Sequence, residues 1–259
     1  MLVLALDYDD TSMTDVLRRW EAELREEEPT AERHAVEVEL SRKLATQAVE
    51  LMVGRLETLN VDVESLDLRW QECSSFLFAS FPHLKSLSVY STFKDAPTSP
   101  FGFPASLTCL SLRKCQRPRF PPALLALTTL LLEHVDFASA EDWRDLLQAC
   151  PSLEKLGSRW CKPLPSPGIF TSAHLPPSLA HICFDDPLEL GRSSFDFLHD
   201  LPPTVRSVTV TQLAHYKPKE RRIAPLRWAC SRQEIELSVT TTGYRGSWSL
   251  DLEAWAARR

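Results

Sequence analysis

Glycine is scarce in this sequence, with 7 residues in 259, and this scarcity argues against the glycine-rich loops that cradle phosphates. Proline is plentiful, with 19 residues, and predicts many element boundaries because its ring fixes φ. No uninterrupted apolar run approaches the roughly 18 residues that a membrane span requires. The apolar stretch at residues 2–6 lacks a preceding basic region, so no signal peptide is predicted. We therefore expect an intracellular protein, cytoplasmic or nuclear, without membrane association.

Motifs that would indicate catalysis or metal binding are also missing. The seven cysteines are odd in number and form no Cys-x-x-Cys, which argues against a disulfide framework and a zinc ribbon. The sequence contains no P-loop, no Gly-x-Ser-x-Gly nucleophile motif and no dinucleotide fingerprint. The chain is therefore predicted to be non-enzymatic, to have reduced thiols, and to bind neither a cofactor nor a metal.

The negative charge is concentrated at the N-terminus. The net charge is −6, and residues 1–60 hold 14 acidic and 7 basic side chains. The remaining 21 acidic and 22 basic side chains nearly cancel, so a general nucleic-acid binder is not expected.

Residues 1–58 show apolar spacing typical of amphipathic helices. Ser12 and Asp15 resemble a helix start, and Thr30 could begin a second helix. We predict that these helices form an N-terminal cap, although residues 2–6 have strand-like character and could belong to a preceding repeat. The two apolar stripes comprise Met13, Val16, Leu17, Trp20 and Leu24, then Val36, Leu40, Leu44, Ala48, Leu51, Met52 and Leu56.

From residue 61 the pattern changes to short strands that recur at intervals of 20 to 27 residues. The clearest unit runs Leu107-x-x-Leu110-x-Leu112-x-x-Cys115. A nearly fixed period of this length is typical of a solenoid whose units stack on their neighbours. The first positions of the eight units are Val63, Leu84, Leu107, Leu127, Leu153, Leu179, Val205 and a residue near Arg232, with Ile235 and Leu237 then facing inward.

The pattern resembles that of leucine-rich repeat proteins, in particular the intracellular ribonuclease-inhibitor-like and F-box-associated subfamilies. The resemblance covers roughly residues 61–240 and departs from the pattern at Ser158 and Pro187. It implies an α/β solenoid, a horseshoe with an inner parallel sheet and outer helices or turns. Residues 59–241 would form this solenoid and residues 242–259 a C-terminal cap. Ser139 and Asp142 are expected to begin an outer helix containing Trp143.

The inner sheet surface is the predicted binding site for a partner protein. Successive side chains of a strand point to opposite faces, so the seventh residue of each unit is expected to point away from the core. The eighth residue comes directly after the strand. Arginine, tryptophan and tyrosine are enriched where partners bind tightly. The candidate partner-binding residues are Arg69, Trp70, Tyr90, Arg113, Lys114, Glu133, Arg159, Trp160 and Asp185.

The leading hypothesis is a non-catalytic interaction scaffold, and two alternatives remain open. F-box proteins with similar repeats hold substrates for a ubiquitin ligase and bind a Skp1-like adaptor, but residues 1–58 show no F-box motif. The least favoured alternative is an enzyme or metal site built from His181, Cys183 and Asp185, which alternate on one strand face.

Overall fold

The computed structural model describes residues 2–7, 35–41, 62–70, 83–91, 103–118, 120, 123–163, 173–185, 201–213, 220–242 and 252–258. The chain divides into two compact units, Met1–Arg119 (unit 1) and Phe120–Arg259 (unit 2). Each unit contains parallel strands that pair in sequence order, as an α/β fold of solenoid type requires.

The described residues of unit 1 form five strands, and each pairs in parallel with the next along the chain. The predicted repeat register is confirmed here, because the fourth positions Leu66, Leu87 and Leu110 lie side by side. Leu87, Leu110 and Leu112 are fully buried, as the repeat pattern requires. The strands are β1 (Leu2–Asp7), β2 (Ala35–Ser41), β3 (Asp62–Trp70), β4 (Ser86–Ser91) and β5 (Cys109–Arg113).

Strand β2 corrects the helix predicted after Thr30. Val36 and Leu40 were assigned to a helical stripe, whereas the structure pairs this segment with β1 on one side and β3 on the other. Val36, Val38 and Leu40 alternate with glutamates, and this period of two suits a strand. The strand character of residues 2–6 is confirmed by β1. The other parts of the predicted N-terminal helices lie outside the described residues.

In unit 2, the part of the chain that the structure describes forms five strands and three helices. The 26-residue step is confirmed by the parallel register that joins Leu156 to Leu130, Ile182 to Leu156 and Val208 to Ile182. The elements are β6 (Thr129–Glu133), α1 (Glu141–Ala149), β7 (Lys155–Arg159), β8 (His181–Asp185), β9 (Ser207–Leu213), α2 (Glu220–Arg232), β10 (Glu236–Thr242) and α3 (Leu252–Arg258).

The register predicted for the last repeat is wrong by two residues. Val208 pairs with Leu237, a step of 29 residues, whereas a start near Arg232 predicts a step of 27. Helix α2 extends to Arg232, and a turn containing Glu234 at φ 56 must follow before the strand begins. The extra residues in this turn displace the strand along the sequence.

Helix α1 forms as predicted and packs against the core of unit 2. Asp142 accepts hydrogen bonds from the backbone N–H of Ala138 at 2.8 Å and of Ser139 at 3.2 Å, which stabilises the helix start. Trp143 is fully buried and its indole donates to the Pro163 carbonyl at 3.0 Å. The helix thus covers the leucine-rich side of the sheet with its own apolar stripe.

The cysteines near the strand ends have a structural role. Cys115 and Cys161 are each 2% exposed, and their thiols donate to the backbone carbonyls of Arg113 and Arg159 respectively, each at 3.5 Å. The six cysteines within the described residues are free thiols. Cys73 lies outside the described residues.

Candidate partner-binding surface

The predicted surface residues lie where each strand ends and the chain turns. The eighth residue of three units adopts a left-handed conformation: Lys114 at φ 55, His134 at φ 52 and Trp160 at φ 50. Residues other than glycine rarely adopt positive φ, since Cβ is then crowded by the backbone. The left-handed conformation recurs at the eighth position of these three units, so the turn is a feature of the repeat. The turn determines where the side chains of the seventh and eighth residues lie.

In unit 1 the strand register brings three predicted residues into one row. Tyr90 pairs with Arg69 on one side and with Arg113 on the other. Lys114 is exposed, and its Nζ lies 4.9 Å from the centroid of the half-buried Tyr90 ring. The backbones of Arg69 and Trp70 end β3, while the positions of their side chains lie outside the described part of the structure.

In unit 2 the corresponding row joins Glu133, Arg159 and Asp185 across β6, β7 and β8. Arg159 Nη1 lies 3.2 Å from Glu133 Oε1, and the two side chains are 8% and 24% exposed. Arg159 is therefore nearly buried, which corrects the expectation that its side chain is exposed. Asp185 lies beside it in the backbone register, but its side chain is outside what the structure describes.

Arg159 is also stacked on an aromatic ring. Its guanidinium carbon lies 3.8 Å from the centroid of the Trp160 ring, and the ring of His134 lies 4.4 Å from the same ring, centroid to centroid. A cation over an indole contributes on the order of 0.5–2 kcal/mol, more as water is excluded. Arg159 therefore holds Trp160 in one orientation, and the half-buried Trp160 is the side chain that a partner can reach.

A hydrophobic cluster around Trp255 lies on the same face of the strands and was not predicted from the sequence. The fifth residues of four units, Leu131, Gly157, Cys183 and Thr209, form a row across β6 to β9. Helix α3 lies on this row, with Leu252 at 5%, Trp255 at 3% and Ala256 at 8% exposure, and forms one core cluster with Leu131 and Cys183. The i, i+3, i+4 spacing of these three helix residues was the available sequence signal.

Two polar contacts fix the position of α3. Trp255 Nε1 donates to Thr209 Oγ1 at 3.3 Å, and Lys155 Nζ donates to the Ala256 carbonyl at 2.8 Å. Gly157 provides the room: a Cβ placed there would lie 3.0 Å from Leu131 Cδ2 and 3.2 Å from Leu252 Cδ2. The segment expected to act as a C-terminal cap thus places its helix on the sheet face.

The alternative site at His181, Cys183 and Asp185 gains no support from this geometry. Cys183 has no exposed surface because α3 covers it, so a substrate has no route to its thiol. His181 Nδ1 lies 2.8 Å from Ser207 Oγ, a contact with the neighbouring strand. Within the described ranges, no group of three His, Cys, Asp or Glu side chains is placed to hold a metal ion.

Comparison of the chain with models of known families, with curated proteins and with solved structures finds no match. Among the helices that the structure describes, none has the length and apolarity needed to cross a membrane.

Proposed function

We propose that the protein is a leucine-rich-repeat type scaffold, without catalytic activity, that binds a partner protein along the ends of its parallel strands. The strand-end surface of unit 1 comprises Tyr90, Arg113 and Lys114, and that of unit 2 comprises His134 and Trp160, which lie beside the ion pair of Glu133 and Arg159. Repeated parallel strands with the confirmed register support the repeat assignment. The leucines of the repeat pack the core, so the residues at the strand ends are available for another role.

The stacked Trp160 is the observation on which the proposal depends. A partner that contacts a tryptophan already held by Arg159 and His134 does not have to order that side chain on binding. Ordering a flexible side chain at an interface costs roughly 0.5–1.5 kcal/mol, so this arrangement favours binding. Tryptophan and arginine are also the types most enriched among residues that dominate binding energy.

The strand-end surface of unit 1 is positively charged. The charged residues within 83–91 and 103–118 are all basic: Lys85, Arg113, Lys114 and Arg117. Lys114 and Arg117 are exposed. A partner that contacts this part of the surface is expected to present acidic side chains, whose attraction accelerates association.

Partner capture with paired variants tests the proposal. Full-length protein with Trp160→Ala or with Lys114→Glu is compared with the parent for the proteins that it retains in a quantitative pull-down. The control reverses Arg144→Glu and Asp145→Lys on the outer helix α1, where the side chains are 42% and 71% exposed. We expect each surface variant to lose a partner that the parent and the control both retain.

The opposite result contradicts the proposal: binding lost in the α1 control and kept in both surface variants. Circular dichroism and thermal unfolding of every variant establish that the comparison is made between folded proteins. The same experiment tests the ubiquitin-ligase alternative, because a Skp1-like adaptor retained by the parent would identify it.

A further inference from the structure

The fifth-position row of unit 2 has the features of a helix-binding groove. It is formed by Leu131, Gly157, Cys183 and Thr209, of which only Leu131 is large. Gly157 removes the side chain at the point where Leu252 and Trp255 approach most closely. A row of mostly small residues on a sheet face lets the apolar side of an amphipathic helix approach the strands closely.

Polar groups of the groove also fix the orientation of the bound helix. Lys155 donates to the carbonyl of Ala256 in the last turn of α3, where backbone carbonyls lack partners within the helix. A cation at this end also interacts favourably with the helix dipole. Thr209 accepts the indole N–H of Trp255, so it specifies tryptophan over phenylalanine at that position. These two contacts define one orientation and one register.

The strands beneath helix α3 pair directly with one another. The ladders that join β6 to β7, β7 to β8, β8 to β9 and β9 to β10 are made by the strands themselves. With seven residues, α3 is also shorter than helices that are stable alone in water, so packing on the groove maintains it. Local opening of such a segment has a lower free energy than global unfolding.

We propose that α3 is an internal ligand, and that a partner helix with the same pattern binds the groove of unit 2 in exchange for it. The pattern is leucine, then tryptophan three residues later and a small residue after that, as in Leu252, Trp255 and Ala256. This inference builds on the proposed function by naming the class of partner segment: an amphipathic helix with its C-terminal carbonyls at Lys155. The exchange is competitive, so the protein binds such a partner weakly while α3 is seated.

The first experiment measures binding of a fluorescent peptide with the sequence of residues 250–259 to the full-length protein. The variant Leu252→Ala with Trp255→Ala weakens the internal helix and leaves the groove residues unchanged. We expect the peptide to bind this variant at least about tenfold more tightly than the parent, because competition by the internal helix is reduced. A peptide with both substitutions, and a protein with Ala257→Gln on the exposed side of α3, are the matched controls.

Cys183 provides an independent measure of opening, since α3 covers it completely. Alkylation by iodoacetamide under native conditions is followed by mass spectrometry, with the core thiols Cys150 and Cys161 as internal standards for global unfolding. The double variant is expected to raise the rate at Cys183 by about tenfold or more while the two standards stay protected. If the double variant unfolds, all three thiols react together, and Lys155→Met then replaces it because this change removes only the contact with Ala256.

Two outcomes overturn the inference. In the first, Cys183 reacts no faster than Cys150 and Cys161 in both the double variant and Lys155→Met, which shows that α3 opens only on global unfolding. In the second, the peptide does not bind a variant that retains Lys155 and whose Cys183 reacts faster than Cys150 and Cys161. Assembly into dimers at increasing concentration would instead identify the α3 of a second copy as the occupant and overturn the partner class. None of these results depends on Trp160 or Lys114, so the failure of this inference and the failure of the proposed function are distinguishable.

Discussion

Arg159 and Glu133 form an ion pair across the neighbouring strands β7 and β6, with 3.2 Å between Nη1 and Oε1. Their backbone positions are direct partners in the parallel register, so the repeat itself places them side by side. Because Arg159 is nearly buried, the pair positions Trp160 and is itself poorly available to a partner. The charges of Arg159 and Glu133 therefore have a structural role at this surface.

We expect Arg159→Glu to destabilise the protein by about 3–5 kcal/mol, because it places two carboxylates together with little solvent. Glu133→Gln should cost about 1–3 kcal/mol, since a charged hydrogen bond to a nearly buried guanidinium is lost. The double variant Glu133→Gln with Arg159→Met should recover part of this loss, because no unpaired charge remains. Urea denaturation in a double-mutant cycle measures the coupling, and strictly additive effects would contradict the ion pair.

Leu130→Ala and Leu156→Ala should each lower the free energy of unfolding by about 2–5 kcal/mol, as expected for large-to-small changes in a core. Both side chains have no exposed surface and lie at fourth positions of adjacent repeats. The matched control is Leu125→Ala, whose side chain is 67% exposed and should change stability by less than about 0.5 kcal/mol. Equal denaturation midpoints for all three variants would contradict the core positions of the repeat.

Gly157→Val should destabilise the protein by about 1–3 kcal/mol through overpacking beneath α3. In a background of Leu252→Ala the same change should cost less, because the contact at 3.2 Å has been removed. A coupling energy of about 1 kcal/mol between the two sites is expected from urea denaturation. As a control, the effects of Gly157→Val and Leu125→Ala on the free energy of unfolding should be additive. Additive effects of Gly157→Val and Leu252→Ala would contradict the close approach of these two residues.

Stability should fall above pH 9 because of buried thiols. Burial raises the pKa of Cys150 to about 12 and that of Cys161 to about 11, from an ordinary value of 9.0. Above pH 9 the unfolded chain loses these protons and the native chain keeps them, so unfolding becomes progressively more favourable until the native thiols ionise near pH 11–12. Each thiol contributes a slope of about 1.4 kcal/mol per pH unit at most.

Urea denaturation between pH 8 and pH 10.5 measures this slope. Cys150→Ala should reduce it, whereas Leu125→Ala, which removes an exposed side chain that does not titrate, should leave it unchanged. An unchanged slope for Cys150→Ala would show that this thiol ionises equally in the native and unfolded chains.

The spacing of leucines determined much of the fold. Steps of 21, 23 and 26 residues placed the fourth positions in the register that the structure shows, and Ser139 with Asp142 located the start of α1. The start of α1 follows from the sequence because helix capping depends on neighbouring residues. The strand register follows because apolar alternation along each strand is also local, and because equivalent positions must align when each unit buries its leucines against the next. Even Ser158, a departure from the pattern, is buried in the same row.

The tertiary structure decided what lies on the other face of each strand. Periodicity shows which residues leave the core, but not whether a distant segment packs on them. Leu252 and Trp255 are therefore read as an isolated apolar pair until they meet Gly157 and Cys183. The burial of Arg159 has the same origin, since the neighbouring strand supplies Glu133 and the following turn supplies Trp160.

Local patterns were also overridden where pairing partners decided the outcome. Val36 and Leu40 fit a helix by spacing, yet strands on both sides of β2 satisfy its backbone groups and make it a strand. The strand of the last repeat begins two residues later than predicted, because α2 and the turn after it occupy the residues that precede β10. The sequence thus determined the repeat and its buried rows of residues. Contacts between distant segments of the chain decided which outward-facing residues remain accessible. Those contacts depend on distances in space, which the local spacing of residues does not encode.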